Sequence, residues 1–178
     1  MLQMQFICLC FHGEPGIDFQ TNSSLIVDYQ GVDENGNTKF AMWVGLNLPC
    51  CSTFFPIFDL DGIPETLNGA GGKYDTEHLW WQLERMKLGI EANYNKYIEL
   101  WRPYQRYFDG KSSLLAVEVA KQNLEKSERT EKLAELLKEI YEASKSVYEQ
   151  IEKDLAAGAP VEEHRALYLE SLKNKYMR

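Results

Sequence analysis

"MWVGLNLPCCSTFFPIF", residues 42–58, decides how this chain is read. It holds a tryptophan, two adjacent cysteines, three phenylalanines and two prolines. Three readings are open on these residues alone: a reactive vicinal thiol pair, part of a metal site, or buried sheet with a turn in it. Its two ends, Phe40–Leu46 and Thr53–Phe58, are runs of β-favouring residues and are predicted as strands. Pro49 and Pro56 limit the ladder around the second of them, because proline donates no backbone hydrogen bond.

Working outward, two more strands are predicted at Gln3–Phe11 and Ser24–Tyr29. "GVDENGNTK" joins Ser24–Tyr29 to Phe40–Leu46 as a hairpin around Asn35-Gly36, a pair suited to a tight turn. All four cysteines and most β-favouring runs fall within residues 1–66. "LNGAGGKYD", residues 67–75, is a glycine-rich connection, and residues 75–178 have helical composition. Asp75 is the predicted N-cap of a long helix whose apolar face runs Leu79, Trp80, Leu83, Met86, Ile90, Tyr94, Tyr97, Ile98, Trp101. Pro103 is expected to stop or kink it. Further helices are expected at about Ser112–Lys126, at Leu133–Leu155 ending by Gly158 and Pro160, and at about Val161–Lys175. Strands first and helices after give an α+β fold, an antiparallel sheet covered by helices, in one domain spanning 1–178. The first predicted strand begins at once, which fits a sheet that is half of something larger.

The totals exclude some functions. The formal net charge is -8, which repels phosphate backbones and argues against nucleic acid as a partner. No apolar run reaches the ~18 residues of a membrane helix, and Met1–Phe11 lacks the basic flank of a leader. The expected location is therefore cytoplasmic, with Cys8, Cys10, Cys50 and Cys51 as reduced thiols.

Cys8, Cys10 and His12 alternate along a predicted strand and so share one face. Such side chains project in parallel, whereas zinc ligands converge from turns, so no metal or other cofactor is expected. A nucleophilic Cys50 or Cys51 needs a base or cation beside it. His78 is the nearest histidine in sequence, and His12 is within reach only through the fold. Asp59, Asp61 and Glu65 in "DLDGIPE" read as a turn with solvated carboxylates rather than a calcium loop. "NGAGG" lacks the strand before it and the Lys-Ser/Thr after it that a phosphate loop needs. No complete catalytic set emerges from the residues.

The order of blocks carries more. "FICLCFHG", "QTNSSLIVDY", "MWVGLNLPCCSTFFPIF", "GIPE" and "LWWQLERM" follow one another over residues 6 to about 109. This order resembles the C-terminal part of the dipeptidase–secernin family of cysteine N-terminal-nucleophile (Ntn) hydrolases. The features concerned are Cys10 and His12, Thr21 with Ser23 and Ser24, Trp43, Pro49-Cys50, Phe54-Phe55-Pro56, Pro64-Glu65 and Trp80-Trp81. The resemblance implies a share of a four-layer αββα sandwich and hydrolysis of dipeptides or other linear amides. In that family a cysteine exposed as first residue attacks the amide, and its own α-amino group is the base. Here residue 1 is Met and residue 2 is Leu. No catalytic residue is therefore carried over, and an N-terminal half bearing the nucleophile becomes the expected partner, with self-association as the alternative. His12, Thr21 and Cys50 are the residues expected to line the substrate cleft. The competing expectation is a non-catalytic interaction module that kept the sheet and binds a protein through its acidic, tyrosine-rich helices.

Overall fold

The computed structural model describes residues 21–32, 34–36, 38–68, 74–122, 124–162 and 166. The strand expected at Gln3–Phe11, with Cys8, Cys10 and His12 beside or within it, lies outside these residues. So does nearly all of the helix expected at Val161–Lys175.

The described chain is α+β. Strands β1 (Ser23–Val32), β2 (Thr38–Leu46) and β3 (Phe54–Ile57) form an antiparallel sheet in the order β1-β2-β3. Alternation sets the register: Leu25, Val27 and Tyr29 lie opposite Val44, Met42 and Phe40. A bulge at Tyr29/Gly31 is accommodated by glycine at φ 100°, where a side chain would be strained. Gly36 of the expected hairpin also has positive φ, 84°.

Three helices follow: α1 (Leu79–Ala92), α2 (Tyr94–Gln122) and α3 (Lys126–Ala156). Their boundaries correct the sequence reading. Asp75 does not cap α1; His78 occupies that position, and Asp75 instead accepts from Glu77 N at 3.0 Å in the preceding turn. The expected long helix breaks at Asn93, not at Pro103. Asn93 closes α1 by donating its N–H to Ile90 O at 3.2 Å. It then opens α2 by accepting from Lys96 N and Tyr97 N on its carbonyl, with its side-chain oxygen 3.4 Å from Lys96 N. Pro103 lies inside α2, which runs on through the expected start at Ser112. Proline in a helix interior costs ~3 kcal/mol. Trp101 and Phe108, buried on either side of it, and the bonds from Trp101 and Gln105 to the 50–52 turn hold both halves in line. α3 opens at Lys126, where Glu125 and Glu128 form a capping box.

α2 flanks β3. Phe54 N donates to Asp109 Oδ1 at 3.1 Å, so this helix satisfies an amide at the strand's outer edge. Val44, Leu46 and Ile57 pack with Phe55 against a core built mainly from the helices: Leu83, Met86, Ile90, Trp101, Leu137 and Ile140 among others. α1 is buried nearly all round. Gly89 lets α3 approach, since a Cβ there would stand 3.2 Å from an Ile151 methyl. No described helix is long and apolar enough to cross a membrane.

Candidate functional site

One end of the sheet gathers the polar residues of interest. Asn22 O accepts from Asn47 N at 2.7 Å, which extends the β1–β2 register beyond Ser23 and Leu46. Thr21 therefore sits at the same end as the turn that carries Cys50. Asn47 is buried with φ 66°, a left-handed conformation that asparagine tolerates better than most residues. It reverses the chain into Leu48–Thr53. There Cys51 N donates to Leu48 O at 2.9 Å and Ser52 N to Pro49 O at 3.4 Å. Gly45 makes room for this return: a Cβ there would come within 2.9 Å of Ser52 Oγ and 3.0 Å of the Phe54 ring.

Side chains of α2 hold the turn by its carbonyls. Gln105 Nε2 donates to Cys50 O at 3.1 Å and to Ser52 O at 2.8 Å, and Trp101 Nε1 donates to Cys51 O at 2.8 Å. Cys51 is buried and Cys50 half-buried, with the two sulfurs 3.8 Å apart and neither in a disulfide. Cys51 belongs to the core, and Cys50 packs against it while remaining partly accessible. Tyr94 stands close enough to Cys50 for the two to influence each other's ionisation.

Beneath the turn, α1 contributes Glu84, Lys87 and Glu91, all buried. Lys87 is wholly inaccessible, and its Nζ stands 2.6 Å from Glu84 Oε1. With its amide turned so that nitrogen meets Glu84 Oε2, Asn47 adds a 2.6 Å contact to the same carboxylate. That charge-assisted orientation outweighs the alternative, a 3.4 Å bond to Trp80 O. Buried charges need such partners, because desolvation otherwise opposes ionisation.

The electrostatics do not activate a nucleophile. The hydrogen bond to Cys50 raises the Cys51 thiol well above its ordinary value, and burial, the Cys50 charge and Glu91 push the same way against Lys87. Burial, followed by the charges of Cys50 and Cys51, raises Tyr94, with Arg102 opposing. A thiol held protonated is a poor attacking group at neutral pH. His78 is not beside the pair. It stands at the start of α1, 3.6 Å from Asp75.

Comparison with protein-family models, curated proteins and solved structures returned no match. The chain's chemistry has to be argued from its own geometry.

Of the residues expected to line a cleft, Thr21 and Cys50 lie at one end of the sheet, and His12 lies outside the described residues. Asn47, Glu84, Lys87, Glu91 and Gln105 were not singled out in sequence, and Tyr94 was read only as part of an apolar helix face. Glu84, Lys87 and Glu91 share one helical face, but the sequence gives no local signal that separates a buried charged face from a solvated one. Among the described residues no group of three or more His, Cys, Asp or Glu side chains is arranged to hold a metal ion. Two clefts lie elsewhere. One of about 740 Å³ is bounded by Trp43, Pro56 and Phe58 of the sheet region and Ala116, Val117 and Arg129 of the helices. The other, of about 580 Å³, lies between α2 and α3 and is lined by Tyr104, Tyr107, Phe108, Glu139 and Glu142.

Proposed function

We propose that this chain is the C-terminal part of a dipeptidase-like cysteine Ntn hydrolase. Hydrolysis of a dipeptide or linear amide would require an N-terminal half that supplies the nucleophile. The observation that carries this reading is β1. Leu25, Val27 and Tyr29 on one face and Ile26 on the other are each more than half exposed. A strand that presents apolar side chains to solvent on both faces favours association, because each stays in water until something covers it. In a four-layer sandwich such a strand is covered by a second sheet on one face and by helices on the other. The Pro49-Cys50 turn and Thr21, at one end of this sheet, then form part of a cleft wall. Cys50 serves there as a lining residue, in keeping with the unactivated thiol beside it.

The test is an assay of dipeptide hydrolysis by the purified full chain. No turnover is expected. Robust turnover that disappears in Cys50→Ala or Cys10→Ala would overturn the reading.

A second reading, a non-catalytic interaction module, is favoured by the helices. Tyr104 and Tyr107 are exposed beside Glu139 and Glu142 on the groove between α2 and α3. Tyrosines that combine an apolar ring with a polar tip are common in protein interfaces. A stable, inactive monomer that captures a protein through this groove, and loses it in Tyr107→Ala, would replace the first reading with this one.

A further inference from the structure

We propose that Cys50 and Cys51 are a redox pair, closed by a peroxide into a vicinal disulfide and reopened by thiols, with the grip of α2 on the turn as the responding element. The inference uses the geometry of the turn alone and does not depend on the hydrolase reading.

The sulfurs are 3.8 Å apart, so a change of side-chain torsion brings them to the ~2.05 Å of a bond. Access is unequal. Cys50 is half-buried and meets the oxidant, while Cys51, 2% exposed, is shielded from it. In the first step the Cys50 sulfur attacks one peroxide oxygen and the O–O bond breaks. Cys50 becomes a sulfenic acid and one water leaves. In the second, Cys51 gives up its proton and its sulfur attacks the Cys50 sulfur. The S–O bond breaks and a second water leaves. Two thiol hydrogens and two electrons have passed to the peroxide. The hydrogen bond to Cys50 and burial hold the Cys51 thiol protonated against the opposing charge of Lys87, so this second step is the slow one and quickens as pH rises.

Adjacent residues joined by a trans peptide hold their Cα atoms ~3.8 Å apart, below the ~4.4–6.8 Å that ordinary disulfides span. The ring is therefore strained, and strained disulfides are readily reduced. Such a bond suits a reversible device rather than a permanent staple. The turn cannot absorb the strain quietly. Trp101 and Gln105 hold the carbonyls of residues 50, 51 and 52. Closing the ring draws Cys51 away from its core contacts and loosens that set of bonds.

The experiment uses the full chain with Cys8→Ser and Cys10→Ser, so that only the pair reports. After treatment with hydrogen peroxide under native conditions, the mass should fall by two hydrogens and both thiols should resist alkylation. Dithiothreitol should restore both, and the oxidised form should melt at lower temperature. With Cys51→Ser added, oxidation should stop at a Cys50 sulfenic acid trapped by dimedone. With Cys50→Ser instead, Cys51 should stay reduced. The proposal is overturned if both thiols of the double-serine chain remain alkylatable after peroxide, if they go to sulfinic acids, or if the products are disulfide-linked dimers.

Discussion

α1 and β1 present opposite solutions to the same problem. α1 is buried almost all round and contains Glu84, Lys87 and Glu91, of which Glu84 and Lys87 pair with each other inside the molecule. β1 is built from Leu, Ile, Val and Tyr, yet it stands largely in water. Composition alone does not separate the two, since about half of each is apolar. What separates them is contact. α1 is enclosed by α2, α3 and the 47–53 turn, whereas among the described residues the principal contacts of β1 are with β2. Burial follows from where the fold places an element, and pairing lowers the cost of the charges it takes inside.

The sharpest way to break this contrast is Lys87→Ala. Removing one partner of a buried ion pair typically costs ~3–5 kcal/mol, because the other charge stays behind unpaired. Chemical denaturation should show that loss. A loss below ~1 kcal/mol would mean that water reaches Glu84 and that α1 is not enclosed as described. Next in size is Gln105→Ala, which removes the donor to two carbonyls of the turn and should cost ~1–3 kcal/mol.

The opposite pole is Leu25→Ser with Val27→Ser. Each exposed change should move stability by only ~0.5 kcal/mol or less, while reducing association by an amount that sedimentation can read. A large loss of stability would show these side chains to be buried.

The smallest effect concerns pH. Burial raises the Asp109 carboxyl above its ordinary value, and the Phe54 N–H only partly offsets this. Its folded pKa then exceeds its unfolded one, so the folded state binds more protons between the two. Stability contributed by this group is present below the unfolded value and is lost as pH rises through the folded one. Asp109→Asn keeps an acceptor for Phe54 N and should flatten that slope in the acidic range.

The sheet was largely legible. Runs of β-favouring residues and Asn35-Gly36 located β1, β2 and their hairpin to within a few residues, since strand propensity and turn chemistry are local properties. The helix breaks were not. Proline is the strongest local stop signal, but Trp101, Gln105 and Phe108 anchor both sides of Pro103 to the core and the turn. Asn93, a modest signal, won because it can close one helix and open the next. Glu125 as an N-cap was missed for a similar reason, being outside the usual Ser, Thr, Asp and Asn set. At the candidate site, the 49–51 turn was legible from its proline. The charges beneath it were not, because nothing local tells a buried Lys87 from a solvated one.

The central claim is that this sheet completes a hydrolase whose nucleophile lies in another segment. The direct measurement is to co-express the full chain with the coding sequence immediately upstream and assay the purified product for dipeptide hydrolysis. The account predicts a complex that contains both segments and turns over dipeptides, with activity lost when the cysteine leading the upstream segment is changed to alanine. An upstream segment without such a cysteine, or a complex of the two that hydrolyses nothing, would contradict it.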